Sequence, residues 1–136
     1  AVKTDACRLQ RISEVSHALL WVVHEDGITA DSLSRDYRQQ RLVTSPLFNI
    51  GEQTNCLSPE LLDAHPDQLW SSITGLRHRL VHHYESTNWS LIADVISNEL
   101  DSFVAEVDRI LAEMYERLRR TNAIRSSCLL NIVAHI

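Results

Sequence analysis

The stretch NWSLIADVISNELDSFVAEVDRILAEMYERL, from Asn88 to Leu118, decides the fold. Its apolar residues Ile92, Val95/Ile96, Leu100, Phe103, Val107, Ile110/Leu111, Met114 and Leu118 recur at alternating three- and four-residue steps, the repeat of one buried helix face. Asn88 or Ser90 is suited to cap its start, and the run Arg117-Leu118-Arg119-Arg120 places cations where the dipole of a helix C-terminus favours them. A stripe this long packs either inside a bundle or against a second chain, and core packing is the expectation.

The rest of the chain repeats the pattern. Leu9, Ile12, Val15, Ala18/Leu19, Val22 and Val23 give a first helix over Asp5–His24, stopped by Glu25-Asp26-Gly27. Thr29 or Asp31 caps a second helix with Leu33, Tyr37, Leu42, Leu47 and Ile50 on its buried face, and Pro46 predicts a kink or break near Thr44–Ser45. Ser58-Pro59-Glu60 reads as an N-cap with proline at the first helical position, opening a short helix that ends before Pro66. Asp67 then caps an element running through Leu69, Trp70, Ile73, Leu76, Leu80 and Val81 to about Tyr84. Only three Gly and three Pro argue against an all-β sandwich or barrel and favour a helical domain. The expectation is one all-α domain over residues 1–136, an antiparallel bundle of four to six helices, with 121–136 as a C-terminal extension.

A formal charge of −5 excludes a general electrostatic grip on nucleic acid, so any RNA contact must be local. Of the 13 basic residues, Lys3 alone is lysine; the others are arginines, which suit bidentate contacts to phosphate or carboxylate. Cys7, Cys56 and Cys128 are an odd count without CxxC spacing, which reads as reduced thiols. No apolar run approaches the roughly 20 residues of a membrane helix, so a cytoplasmic protein without membrane contact is expected.

Polar chemistry concentrates in Arg77-His78-Arg79-Leu80-Val81-His82-His83-Tyr84. Arginine offers a fixed fork for phosphate, and histidine both takes and gives a proton near neutral pH, a pair suited to phosphodiester cleavage. A basic, solvated helix end accounts for the same residues equally well. His78 and His82 at i, i+4, with Glu85 next, have a zinc-compatible spacing but lack a clear third ligand elsewhere, so no metal and no cofactor is expected. Arg77 and His82 stand about 140° apart around a helix, so the arginine must wrap around or two chains must share a site.

Ile50-Gly51-Glu52, Leu57-Ser58-Pro59-Glu60-Leu61, Pro66, Trp70, Ile73 and Gly75-Leu76-Arg77 through Tyr84 together resemble the HepT-like branch of the HEPN superfamily, over roughly Arg41 to Leu111. The core of the resemblance is Arg, four residues, His, any residue, Tyr, here Arg77, His82 and Tyr84. It implies a dimerising HEPN-like bundle whose two motifs meet at the homodimer interface as a metal-independent endoribonuclease site. Arg77 and His82 are the catalytic candidates. It also implies a toxin of a type VII-like toxin–antitoxin pair, neutralised when a minimal nucleotidyltransferase antitoxin of the MntA-like kind transfers AMP to Tyr84. His78 stands where the family places Asn, and Glu85-Ser86-Thr87-Asn88-Trp89 replaces its short acidic turn. Arg79 can contact RNA backbone or pair with a carboxylate, and Glu52 can hold Arg77 or His82 in place or serve helix packing around Gly51. The alternatives are a catalytically inactive dimeric binding partner and a nucleotide-binding regulatory subunit of a nucleotidyltransferase.

Overall fold

A computed structural model of the chain describes residues 2–82 and 86–121. Among them are seven α-helices and no strand: α1 (Val2–Glu25), α2 (Ala30–Arg35), α3 (Tyr37–Asn55), α4 (Pro59–Ala64), α5 (Trp70–His82), α6 (Trp89–Asn98) and α7 (Leu100–Arg120). α1 packs against α3 and α7, α3 against α5, and α2 against α6. α1 and α3 run antiparallel, with Arg8 bonded to Gln53 at one end and Val22 beside Leu42 at the other. Ser13 and His17 on α1 both bond the Asp108 carboxylate of α7, at 2.5 and 2.8 Å.

The stripe that decides the fold is buried as expected, from Ile92 through Phe103 to Met114. It is carried by two helices. α6 ends and α7 begins at Glu99, whose φ of −121° leaves the helical range and whose carboxylate accepts a hydrogen bond from Ser72 on α5 at 3.4 Å. No proline or glycine marks this break, so local propensity does not announce it. The helix count therefore exceeds the expected four to six.

The break foreseen at Pro46 falls instead at Asp36. That carboxylate accepts the backbone N–H groups of Arg38 and Gln39 at 2.8 and 3.3 Å and so starts a new helix. α3 then runs through Pro46 because Val43, Leu47 and Ile50, all fully buried, hold both sides of it in one packed face. The change of helix at Asp36 also alters the phase. Tyr37 and Leu42, expected inside, are 65% and 45% exposed, while Leu33 remains buried on α2.

Other starts and stops follow local chemistry. Thr29 caps α2 in a reciprocal capping box with Ser32, and Gly27 adopts the left-handed φ of 61° that ends α1. Ser58 caps α4, with Pro59 at its first position, and is itself held by the buried Asp5 carboxylate through its N–H at 3.0 Å and its hydroxyl at 2.6 Å. α5 begins at Trp70, later than a cap at Asp67 would place it: the Ile73 N–H bonds the Leu69 carbonyl at 3.0 Å. Trp70 donates its indole N–H to the His65 carbonyl and meets Phe103 edge to face at 5.7 Å. Cys56 is free and exposed, whereas Cys7 is disulfide-bonded, which departs from the expectation of three reduced thiols. No helix among the described residues is long and apolar enough to cross a membrane.

Candidate functional site

Two consecutive residues of α3 fix where α5 presents its polar cluster. At Gly51 a β-carbon would lie 3.0 Å from the Ile73 carbonyl oxygen, 3.1 Å from the Arg77 nitrogen and 3.2 Å from the Arg77 Cβ. Only glycine leaves the space for α5 to come this close. The next residue, Glu52, uses that proximity: its Oε2 lies 3.3 Å from Arg77 Nη1. Both side chains are about two-fifths exposed, at 41% and 38%, so the pair contributes only about 0–1 kcal/mol to stability. Its consequence is geometric. A single carboxylate contact on one terminal nitrogen orients the guanidinium and leaves its other donors available for an anion.

His78 and Arg79 follow on α5, both exposed. The backbone of α5 continues to His82, its last residue. The side chain of His82, and the whole of Tyr84, lie outside the described residues. So do two of the three residues weighed as a zinc set, since Glu85 is also among them. Among the described residues no three His, Cys, Asp or Glu side chains gather as a metal site.

Elsewhere, a cleft of about 510 Å³ between the α4–α5 loop and α7 contains His65, Gln68, Ser102, Glu106 and Arg109. Its cation is already neutralised. Arg109 hydrogen-bonds Glu106 and pairs with Glu113, which holds the Glu106 carboxylate below its usual pKa and raises that of the guanidinium. The basic end of α7 is likewise partly internal: Arg119 pairs with Glu116 at 3.0 Å and lies over the Tyr115 ring.

The sequence offers Glu52 as a group that holds Arg77 or His82, or that serves helix packing around Gly51. The structure shows the contact with Arg77 and the close packing at Gly51 together, and only the distances at Gly51 waited for α3 and α5 to be set in register. The nearest signal was the glycine directly before an acidic residue on an otherwise apolar face.

These features define an all-α bundle of the HEPN type, in which one helix carries Arg77, His78 and Arg79 to the surface. The family model described as "Ribonuclease HepT-like" matches residues 7–110, and the chain belongs to that family. Its enzyme class is therefore ribonuclease. Similar curated proteins carry related names. "Putative RNase MJ0127" of Methanocaldococcus jannaschii is 28% identical over 89 residues, covering 65% of this chain and 74% of that protein. "Putative RNase TTE0752" of Caldanaerobacter subterraneus subsp. tengcongensis is 29% identical over 85 residues, covering 62% of this chain and 76% of the relative. No solved structure matches the chain.

Proposed function

We propose that the protein is a metal-independent endoribonuclease toxin, active as a cytoplasmic homodimer in which the Arg77, His82 and Tyr84 motifs of two chains meet. The observation that carries this reading is the brace of Gly51 and Glu52 on Arg77, which holds a guanidinium half-exposed on α5 inside the family-matched stretch. In this reading His82 takes the proton from a ribose 2′-hydroxyl as that oxygen attacks the adjacent phosphorus. Arg77 stabilises the charge that grows on the phosphorane oxygens. The bond from phosphorus to the 5′-oxygen breaks, and the protonated His82 gives its proton to that oxygen as it leaves, which restores the neutral imidazole and yields a 2′,3′-cyclic phosphate and a 5′-hydroxyl. Glu52 positions Arg77, while His78, in place of the usual Asn, and Arg79 support the site.

Tyr84 is the residue assigned to regulation. A minimal nucleotidyltransferase antitoxin of the MntA-like kind would join its phenolic oxygen to the α-phosphorus of ATP, releasing pyrophosphate. The added anion then occupies the place of the RNA phosphate and repels it. The family resemblance supports both the dimer and this partner.

The test is expression of the chain alone and with such a nucleotidyltransferase. Growth arrest that is lost in Arg77→Ala, and relieved by the partner only when Tyr84 is present, is the expected result. Full toxicity of Arg77→Ala would remove the assignment. A folded dimer that binds the partner and cuts no RNA would establish the non-catalytic alternative.

A further inference from the structure

α5 and the start of α6 frame a second cleft, of about 320 Å³, lined by Arg79, Ser86, Thr87, Asn88, Leu91 and Ile92. Arg79 follows Arg77 by two residues, about 200° around the helix, so this cleft opens on a different side of α5 from the one braced by α3. Its lining has two parts. A guanidinium, two hydroxyls and an amide supply polar contacts, while Leu91, 37% exposed, and the buried Ile92 supply an apolar floor. The Asn88 side-chain oxygen accepts the Leu91 N–H at 3.2 Å, which fixes the amide at the rim.

Charge separates Arg79 from Arg77, its neighbour on α5. Arg35, Arg77, Arg109 and Arg119 each face a carboxylate, whereas Arg79 forms no ion pair among the described residues. In a chain of formal charge −5, an uncompensated guanidinium beside a cleft is a local site for an anion. The volume lies at the small end of ligand clefts, enough for one nucleotide unit. The lining fits that unit part by part: the fork for a phosphate, hydroxyl and amide groups for ribose oxygens and base edges, and the leucine for the flat face of a base.

We infer that this cleft is a nucleotide subsite, holding one nucleotide of the bound RNA strand away from the cleaved linkage, with its phosphate on Arg79 and its base over Leu91. The inference rests on the ribonuclease reading and adds to it a contact that sets affinity rather than chemistry.

The experiment uses a fluorescein-labelled, mixed-sequence single-stranded RNA, measuring kcat and KM for the full chain across a salt series, with thermal melting of each variant as the folding control. Arg79→Ala is expected to lower kcat/KM about tenfold through KM, the loss of one charge-assisted phosphate contact. It should also reduce the slope of log KM against log salt by about 0.7, one phosphate's share on single-stranded nucleic acid. Leu91→Ser is expected to raise KM without altering that slope, because it removes an apolar floor and no charge. If wild type cleaves the RNA and Arg79→Ala keeps its KM and salt slope, the subsite is overturned while the ribonuclease reading stands. If wild type neither cleaves nor binds the RNA, both fall. A third arm titrates 5′-AMP: inhibition competitive with RNA in wild type and weakened in Arg79→Ala supports the subsite. AMP binding that leaves RNA kinetics untouched reassigns the cleft to a free nucleotide and overturns it as an RNA contact.

Discussion

Gly51→Ala and Gly75→Ala place the same methyl group on facing helices and should change stability in opposite directions. At Gly51 the new carbon meets backbone and Cβ atoms of α5 at 3.0, 3.1 and 3.2 Å, and a helix backbone cannot turn aside as a flexible side chain can. Overpacking of that kind costs about 1–3 kcal/mol, while replacing a mid-helix glycine by alanine gains about 0.5–1 kcal/mol. The net expectation is a loss of about 1–2 kcal/mol. For a chain of this length that lowers the thermal midpoint by roughly 4–8 °C. At Gly75 nothing lies within 4 Å of the added carbon, so only the helix gain remains and the midpoint should rise by about 2–4 °C. Circular dichroism at 222 nm with urea and heat resolves both. A Gly51→Ala protein as stable as wild type would refute the argument that close approach of α3 and α5 requires glycine. RNA cleavage by this variant should fall as well, because separating the helices draws Glu52 away from Arg77.

Other expectations follow from individual contacts. Glu52→Gln should leave unfolding free energy within about 0.5 kcal/mol of wild type, since the pair is two-fifths exposed, yet reduce kcat for RNA cleavage several-fold; an unchanged kcat in the folded variant would remove its positioning role. Asp5→Asn should cost about 1–3 kcal/mol, because a buried carboxylate accepting two hydrogen bonds from Ser58 is replaced by a group that cannot accept both; urea unfolding measures it. Glu106, held below its ordinary value of 4.5 chiefly by its hydrogen bond from Arg109, favours the folded state above that pH, and the contribution is lost as pH falls through the lowered value. Carboxylate 13C NMR of Arg109→Gln should therefore show Glu106 titrating at higher pH, and an unchanged midpoint would show that the pair does not form in solution.

What the sequence reveals of this fold is what short-range physics determines. The stripe from Ile92 to Met114, the Ser58-Pro59 cap and the turn at Gly27 each depend on a few neighbouring residues, and each is found where expected. Pro46 does not end α3, because the break that a local rule allows is outweighed by the packed face of Val43, Leu47 and Ile50. Glu99 misleads in the other direction: it has no local breaker, and its departure from helix accompanies a contact with Ser72 on another element. The cluster on α5 stands out by composition alone. Glu52 is legible as a partner for Arg77, but the close approach that brings them together is not, because Gly51 and Arg77 are 26 positions apart in sequence and meet only when α3 packs on α5. The cleft at Arg79 was hidden for the same reason, since Ser86, Thr87 and Leu91 look like an ordinary loop and helix start until α6 is set beside α5.

The most direct test of the central claim is RNA cleavage in EDTA by protein purified without a nucleotidyltransferase, beside folded His82→Ala and Arg77→Ala. Cleavage by wild type that leaves 2′,3′-cyclic phosphate ends, and that is lost in both variants, is the predicted result. Cleavage that persists in His82→Ala, or RNA left intact by a folded wild-type dimer, would contradict it.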